Sequence, residues 1–265
     1  MLDFADIYNE LNKIENKCTK TPPSKNEVVT IIKRIQNLFF PEYYPEYSQN
    51  NSVESIYYSI CSEVCKACTF AEISDMDCSE IAFDIVKTLP NIKYMLLKDI
   101  DALYNGDPAA VCKEEVIISY PGFLATTVYR IAHEFYKRKV PLIARIMTEY
   151  AHEKTGIDIH AGAKIGEYFF IDHGTGIVIG ETTTIGNNVK IYQGVTLGAK
   201  SFEMDESGNP IKGIKRHPDI GNNVIIYANA TILGGNTKVG DGAVIGANVW
   251  LTHSVEPGKT VYYNN

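Results

Sequence analysis

A few polar residues in the second half of this chain are of types that do acid–base chemistry, and they interrupt an otherwise aliphatic and small-residue pattern. Asp158, Asp172 and His173 stand close to isoleucines, and the pair Arg216-His217 ends a long polar stretch. A carboxylate beside an imidazole orients the ring, fixes its tautomer and raises its basicity, which suits a general base taking a proton from a hydroxyl. Each residue also has a structural reading, in which the aspartates cap backbone corners and the imidazole fills a groove. The choice between the two depends on whether the surrounding elements bring these groups to one place.

Those elements follow a fixed period. Isoleucines stand at 159, 165, 171 and 177, and after a shift of two the pattern continues at Ile179, Ile185, Ile191 and Leu197. It resumes at Ile220, Ile226 and Ile232 and, after one extra residue, at Val239, Ile245 and Leu251. Small or apolar residues such as Ala163, Val189, Val195, Ala230 and Val249 fall four positions after most of these, and glycine often follows directly. A short fixed period means a solenoid. Six residues make one flat strand and a tight corner, three such units close a triangular coil, and Gly and Asn suit the corners because they tolerate unusual dihedrals. Asp158 and His173 are fifteen residues apart, three short of a coil, so they fall on neighbouring coils, and the shift after Ile171 brings them closer. The stretch Ala199–Asp219, rich in Lys, Glu, Asp, Gly and Pro, breaks the period and must leave the coil as a loop, where function concentrates.

Upstream the pattern is helical. Ser24-Lys25-Asn26-Glu27 reads as a capping box, with Val28, Ile31, Ile32, Ile35, Leu38 and Phe39 at helical spacing behind it. Proline at 41 and 45 ends that helix. Further helices are predicted over about 51–70, 79–88, 91–105, 121–138 and 141–155, punctuated by Pro90 and Pro141 and closed by Gly156. The expected fold is α+β: an all-helical domain over 1–156, then a parallel β-helix of hexapeptide repeats over 157–265 with a loop extruded at about 199–219.

Composition narrows the function. Lys+Arg 25 against Asp+Glu 32 leaves a net charge of −7, which argues against a nucleic-acid partner. No apolar run is long enough for a membrane span, and Met1-Leu2-Asp3-Phe4-Ala5-Asp6 is acidic where a signal peptide is basic, so the cytosol is the expected location. All six cysteines (Cys18, Cys61, Cys65, Cys68, Cys78, Cys112) lie upstream of the solenoid. Cys61, Cys65 and Cys68 have the C-x3-C-x2-C spacing that holds an iron–sulfur cluster, but the same spacing puts three thiols on one helix face, where they pack as small hydrophobes. The packing reading is preferred, because a cluster needs loop-borne thiolates; disulfides are disfavoured in a reducing compartment. Among the six histidines, His160, His173 and His217 are 13 and 44 apart, unlike the close pair of zinc ligands in hexapeptide carbonic anhydrases, so no metal is expected. His133, His152 and His253 read as surface or packing residues.

The runs Asp158-Ile159-His160-Ala161-Gly162-Ala163-Lys164-Ile165-Gly166 and Ile171-Asp172-His173-Gly174-Thr175-Gly176-Ile177-Val178-Ile179-Gly180-Glu181-Thr182 resemble serine acetyltransferase, a hexapeptide-repeat acetyltransferase family. So do Gln193-Gly194-Val195-Thr196-Leu197-Gly198, Arg216-His217-Pro218 and, upstream, Asp107-Pro108-Ala109 and Gly122-Phe123 through Tyr129-Arg130-Ile131-Ala132-His133. The resemblance covers about 100–265 and implies a left-handed coil. It implies acetyl transfer from acetyl-CoA to the hydroxyl of L-serine, the first step of cysteine biosynthesis, by direct attack without an acyl-enzyme. It makes His173 the general base and Asp158 its orienting partner. Asp107 and Asp172 would hold the serine ammonium, and Arg216 and His217 its carboxylate and the tetrahedral intermediate. A zwitterion needs both signs, and arginine grips a carboxylate through two parallel donors. Acetyl-CoA would lie along the coil edge between subunits, near Gly198, Ala199, Ala228, Gly246 and Ala247, with Lys200, Lys212 and Lys215 toward its phosphates. The family also implies a homotrimer, in some members paired into a hexamer, inhibited by cysteine at the serine site.

The segment between Gly198 and Arg216 is longer than in well-known bacterial members, and the chain ends at Tyr262-Tyr263-Asn264-Asn265 without the isoleucine-ended tail that docks into O-acetylserine sulfhydrylase. No stable complex with that partner is therefore expected through this terminus. Rival readings are a hexapeptide O-acyltransferase with a different acceptor, which would keep His173 without needing Arg216 and Asp172 together, a metal-dependent lyase, and a non-catalytic solenoid scaffold.

Overall fold

The computed structural model describes residues 4–13 and 20–263. Cys18, the first three residues of the acidic N-terminal run, and Asn264 and Asn265 lie outside them. The helices are α1 (Phe4–Lys13), α2 (Lys25–Phe39), α3 (Val53–Phe70), α4 (Cys78–Gly106), α5 (Lys113–Ser119), α6 (Pro121–Lys137) and α7 (Ile143–Thr155). Among the described residues, no helix is long and apolar enough to cross a membrane.

Ser24 caps α2, its Oγ accepting the Glu27 N–H at 3.3 Å. The other half of the expected capping box does not form, because the Ser24 N–H goes to Glu63 Oε2 of α3 at 2.8 Å. A tertiary carboxylate has displaced the local one. Pro90 does not divide its helix as predicted: α4 runs through it, with Ile85, Leu89, Ile92 and Leu96 all buried along one face. Packing on that face offsets the cost of an interior proline, about 3 kcal/mol. Pro141 does separate α6 from α7, and Gly156 ends α7 at φ +68 with its N–H on the His152 carbonyl at 2.8 Å. The short α5 went unpredicted. Cys61, Cys65 and Cys68 lie on α3 facing Cys78 at the start of α4, and burial, with Cys78 and Cys61 close by, pushes the Cys65 thiol up to about 12. Cys68 is buried and the other three are half-buried where α3 meets α4. No group of three His, Cys, Asp or Glu among the described residues is placed to hold a metal ion.

After Thr155 come fourteen short strands: β1 (Asp158–Ile159), β2 (Lys164–Ile165), β3 (Phe170–Asp172), β4 (Val178–Ile179), β5 (Thr184–Ile185), β6 (Lys190–Tyr192), β7 (Thr196–Gly198), β8 (Asp219–Ile220), β9 (Ile225–Ile226), β10 (Thr231–Leu233), β11 (Lys238–Val239), β12 (Val244–Ile245), β13 (Trp250–Leu251) and β14 (Thr260–Val261). They form three parallel faces: β1-β4-β7-β10-β13, β2-β5-β8-β11 and β3-β6-β9-β12-β14. The result is a parallel β-solenoid of about five turns. The aliphatic period is its core. Ile159, Ile179, Leu197, Ile232 and Leu251 stack on the first face. Ile165, Ile185, Ile220 and Val239 stack on the second, and Ile171, Ile191, Ile226, Ile245 and Val261 on the third. Each fully buried aliphatic contributes about 1.5–3 kcal/mol.

Ile177 corrects the sequence reading. It is fully buried but belongs to a corner column with Val195, Ala230 and Val249, whose carbonyls accept the N–H groups of the next coil below. The two extra residues of this coil therefore lie at 173–176, so His173 sits in a bulged corner between the third and first faces.

Helix α6 seats the helical part on the first coil. Arg130 forms a two-pronged pair with buried Asp99 of α4 at 2.6 and 2.8 Å and donates to the Gly166 carbonyl at 2.8 Å. Tyr129 donates to the Ala163 carbonyl at 2.7 Å, and His133 Nδ1 lies 2.7 Å from the Ala161 carbonyl. The Tyr129–His133 run thus works as a docking face.

Candidate active site

His173 is the middle residue of a three-residue turn closed by the Gly174 N–H on the Asp172 carbonyl at 2.6 Å, and its φ is +58. A left-handed conformation at a non-glycine residue stores strain that the surrounding structure must hold, a pattern concentrated at functional sites. The imidazole projects outward at 69% exposure, with Nδ1 3.5 Å from Asp172 Oδ1. Asp107 comes to the same place from α4. Gly106 lets that helix end press on β3: a Cβ there would lie 2.5 Å from the Phe170 ring. Tyr120, just before α6, donates its hydroxyl to Asp107 Oδ2 at 2.5 Å, and the Ala109 N–H donates to Oδ1 at 2.7 Å. These donors, with His173 nearby, hold the Asp107 carboxyl below the usual range, while burial and Asp107 push the Tyr120 phenol up. The corner therefore has one fixed carboxylate, a second carboxylate and an open imidazole.

Asp158 does not join this cluster by a hydrogen bond to His173, as the sequence reading expected. It begins β1 on the first face, and the bulge at 173–176 carries the imidazole outward. The carboxylate within ion-pair range of the ring is Asp172.

Arg216 and His217 sit at a different corner, between the first and second faces, where the extruded loop returns to β8. His217 is buried at 7% exposure with its ring flat on Gly180, where a Cβ would lie 2.0 Å from the ring. Its Nδ1 accepts the Thr182 N–H at 3.1 Å and lies 2.9 Å from Thr182 Oγ1, so the proton of the neutral ring is on Nε2. Burial, reinforced by Arg216, pushes this imidazole down to about 4, so it stays a neutral donor. Thr182 Oγ1 also accepts the backbone N–H groups of Arg216 and His217 at 3.0 and 3.1 Å. Arg216 Nη2 meets Glu181 Oε2 at 2.6 Å.

The candidate acyl-donor contacts divide in the same way. Ala228, Gly246 and Ala247 occupy the His173 corner on higher coils, and Gly198 and Ala199 lie where the loop leaves the Arg216 corner. Lys200, Lys215 and Arg216 line one cavity of about 320 Å³, and Lys212 lines a neighbouring one with Arg145, His160, Glu181 and Arg216. Lys215 is already engaged by Asp219 and the Thr182 carbonyl, both at 2.6 Å. Sequence reasoning assigned no role to Tyr120, Tyr136, Glu181 or Thr182. Glu181-Thr182 lay inside a family-like run; the two tyrosines carry no local signal.

No protein-family model matches the chain. A plasmid-borne serine acetyltransferase of Synechococcus elongatus is 43% identical over 261 residues, covering 90% of this chain and 81% of that protein. The Bacillus subtilis serine acetyltransferase is 48% identical over 167 residues, 63% of this chain and 72% of its own length. The solved structure of Entamoeba histolytica serine acetyltransferase 1 in complex with L-cysteine superposes with a TM-score of 0.77 at 36% identity, over 98% of this chain and 96% of that one. Neisseria gonorrhoeae serine acetyltransferase in complex with serine gives a TM-score of 0.61 at 29% identity, over 93% and 97%. Near-complete coverage at this identity, on a helical part followed by a parallel solenoid, places the chain in the serine acetyltransferase family of acyltransferases.

Proposed function

We propose that this enzyme transfers the acetyl group of acetyl-CoA to the hydroxyl of L-serine, giving O-acetyl-L-serine and CoA, as the first step of cysteine biosynthesis. The observation carrying the reading is the pair of clusters with opposite character: Asp107, Asp172 and His173 at one corner, Arg216 and neutral His217 at another. Serine is a zwitterion. Its ammonium suits the two carboxylates, and its carboxylate suits the guanidinium and the His217 Nε2–H. The two clusters occupy different corners on different coils, one after β3 and the other before β8, so this reading puts the complete site between copies in a homotrimer, the His173 corner of one against the Arg216 corner of the next. Acetyl-CoA then runs along the small residues Ala228, Gly246 and Ala247 on one side and Gly198 and Ala199 on the other.

In this arrangement the His173 imidazole takes the hydroxyl proton as the serine oxygen attacks the thioester carbonyl carbon. The tetrahedral adduct collapses with cleavage of the C–S bond, and the imidazolium returns its proton to the departing CoA sulfur. Asp172, the carboxylate within ion-pair range of the ring, orients it and supports its positive charge. Cysteine carries the same two charged groups with a thiol in place of the hydroxyl, so it competes with serine as a feedback inhibitor. Free-thiol release from acetyl-CoA with L-serine, against a panel of other hydroxyl acceptors, tests the reaction. His173→Ala should lower turnover roughly 10²–10⁴-fold with little change in acetyl-CoA affinity; unchanged turnover would remove His173 from the mechanism.

A further inference from the structure

Helix α6 has a phenol at each end. Tyr120, at its start, holds Asp107. Tyr136, in its last turn, reaches the other corner, where its hydroxyl donates to Glu181 Oε1 at 2.8 Å. The second Glu181 oxygen takes Arg216 Nη2 at 2.6 Å. One carboxylate is thus held between a phenol from the helical part and a guanidinium from the extruded loop. The Arg216 and Glu181 side chains are only 22% and 20% exposed. The Tyr136 ring stands edge-on to His160 with centroids 5.7 Å apart, and a Cβ on Gly162 would lie 2.7 Å from it, so one side of the ring is held against the first coil while the residue stays 37% exposed. Burial and Glu181 push the phenol up to about 12, so it stays protonated and donating. Burial works against ionisation of Glu181, but its bonds to Tyr136 and Arg216 hold its carboxyl below the usual range.

We propose that Tyr136 is a positioning residue: through Glu181 it fixes the reach and plane of the Arg216 guanidinium, and so sets the affinity for the carboxylate of the acceptor amino acid without touching it. The proposal rests on the assignment of Arg216 to that carboxylate. An arginine side chain has many rotamers, and ordering it on binding costs affinity unless it is ordered beforehand. A glutamate on a solenoid corner is itself a flexible anchor, and the second bond from α6 makes it a fixed one.

Steady-state kinetics with L-serine and with L-serinamide, which lacks the carboxylate, test this on the wild type, Tyr136→Phe, Arg216→Ala and the double variant. Tyr136→Phe should raise KM for L-serine roughly 3- to 10-fold and leave kcat, KM for acetyl-CoA and all L-serinamide parameters within about twofold. Arg216→Ala should abolish the preference for L-serine over L-serinamide, and adding Tyr136→Phe to it should have no further effect. Glu181→Gln, which keeps an oxygen for the phenol but loses the ionic grip on Arg216, should give the same carboxylate-selective loss, and it decides the matter if Tyr136→Phe does not fold. An unchanged L-serine KM in Tyr136→Phe, or an equal loss with L-serinamide, would overturn the proposal. A preference for L-serine that survives Arg216→Ala would instead overturn the assignment of Arg216, and the proposal with it.

Discussion

At the residue scale, the site divides its imidazoles by environment. His173 is exposed on a strained turn, whereas His217 is sealed against Gly180 and fixed by Thr182 as a neutral donor. The same burial has a consequence for stability. Burial lowers His217 from 6.5 to about 4, and lowers His133 and His160 as well. A histidine whose folded value is depressed stabilises the fold above its unfolded value and loses that contribution as pH falls toward the folded one. The native state should therefore weaken steadily as pH drops from 6.5 to 4. His217→Asn keeps an acceptor for the Thr182 N–H and has no proton to gain, so its Tm should fall less steeply across this window. Parallel Tm curves for the two proteins would contradict the assignment.

At the element scale, the solenoid is held by columns whose members have different neighbours but the same role. Ile226 lies in the middle of the third-face column, between Ile191 and Ile245, fully buried. Ile226→Ala should cost about 2–5 kcal/mol of unfolding free energy, because close-packed rungs above and below cannot collapse into the cavity. Denaturant unfolding followed by circular dichroism measures it; a loss under about 1 kcal/mol would mean the coil relaxes around the gap. Helix α6 is the element that ties these columns to chemistry, since Tyr129 and Arg130 dock it on the first coil while the tyrosines at its ends meet Asp107 and Glu181.

At the scale of the whole molecule, the separation of the two clusters yields a test of shared sites. If His173 of one copy works with Arg216 of the next, His173→Ala and Arg216→Ala proteins should each be nearly inactive alone. Trimers assembled from both, by refolding a mixture or by co-expression, should contain one intact site each and recover activity. Absence of recovery in verified mixed trimers would show that each chain completes its own site.

The chain by itself determined the solenoid, its three-sided section and its core, because a six-residue period repeats the same local rule and each rung reports the position of the next. It also marked Asp158, Asp172, His173, Arg216 and His217, because charged and imidazole side chains stand out against an aliphatic pattern. Only the tertiary structure decided which of these meet. The bulge at 173–176 sends His173 toward Asp172 rather than Asp158, Glu63 displaces Glu27 from the α2 cap, and Tyr120 and Tyr136 reach opposite corners. Such meetings depend on how α6 docks and where two extra residues are accommodated in a corner, and those are long-range packing outcomes with no periodic trace in the sequence.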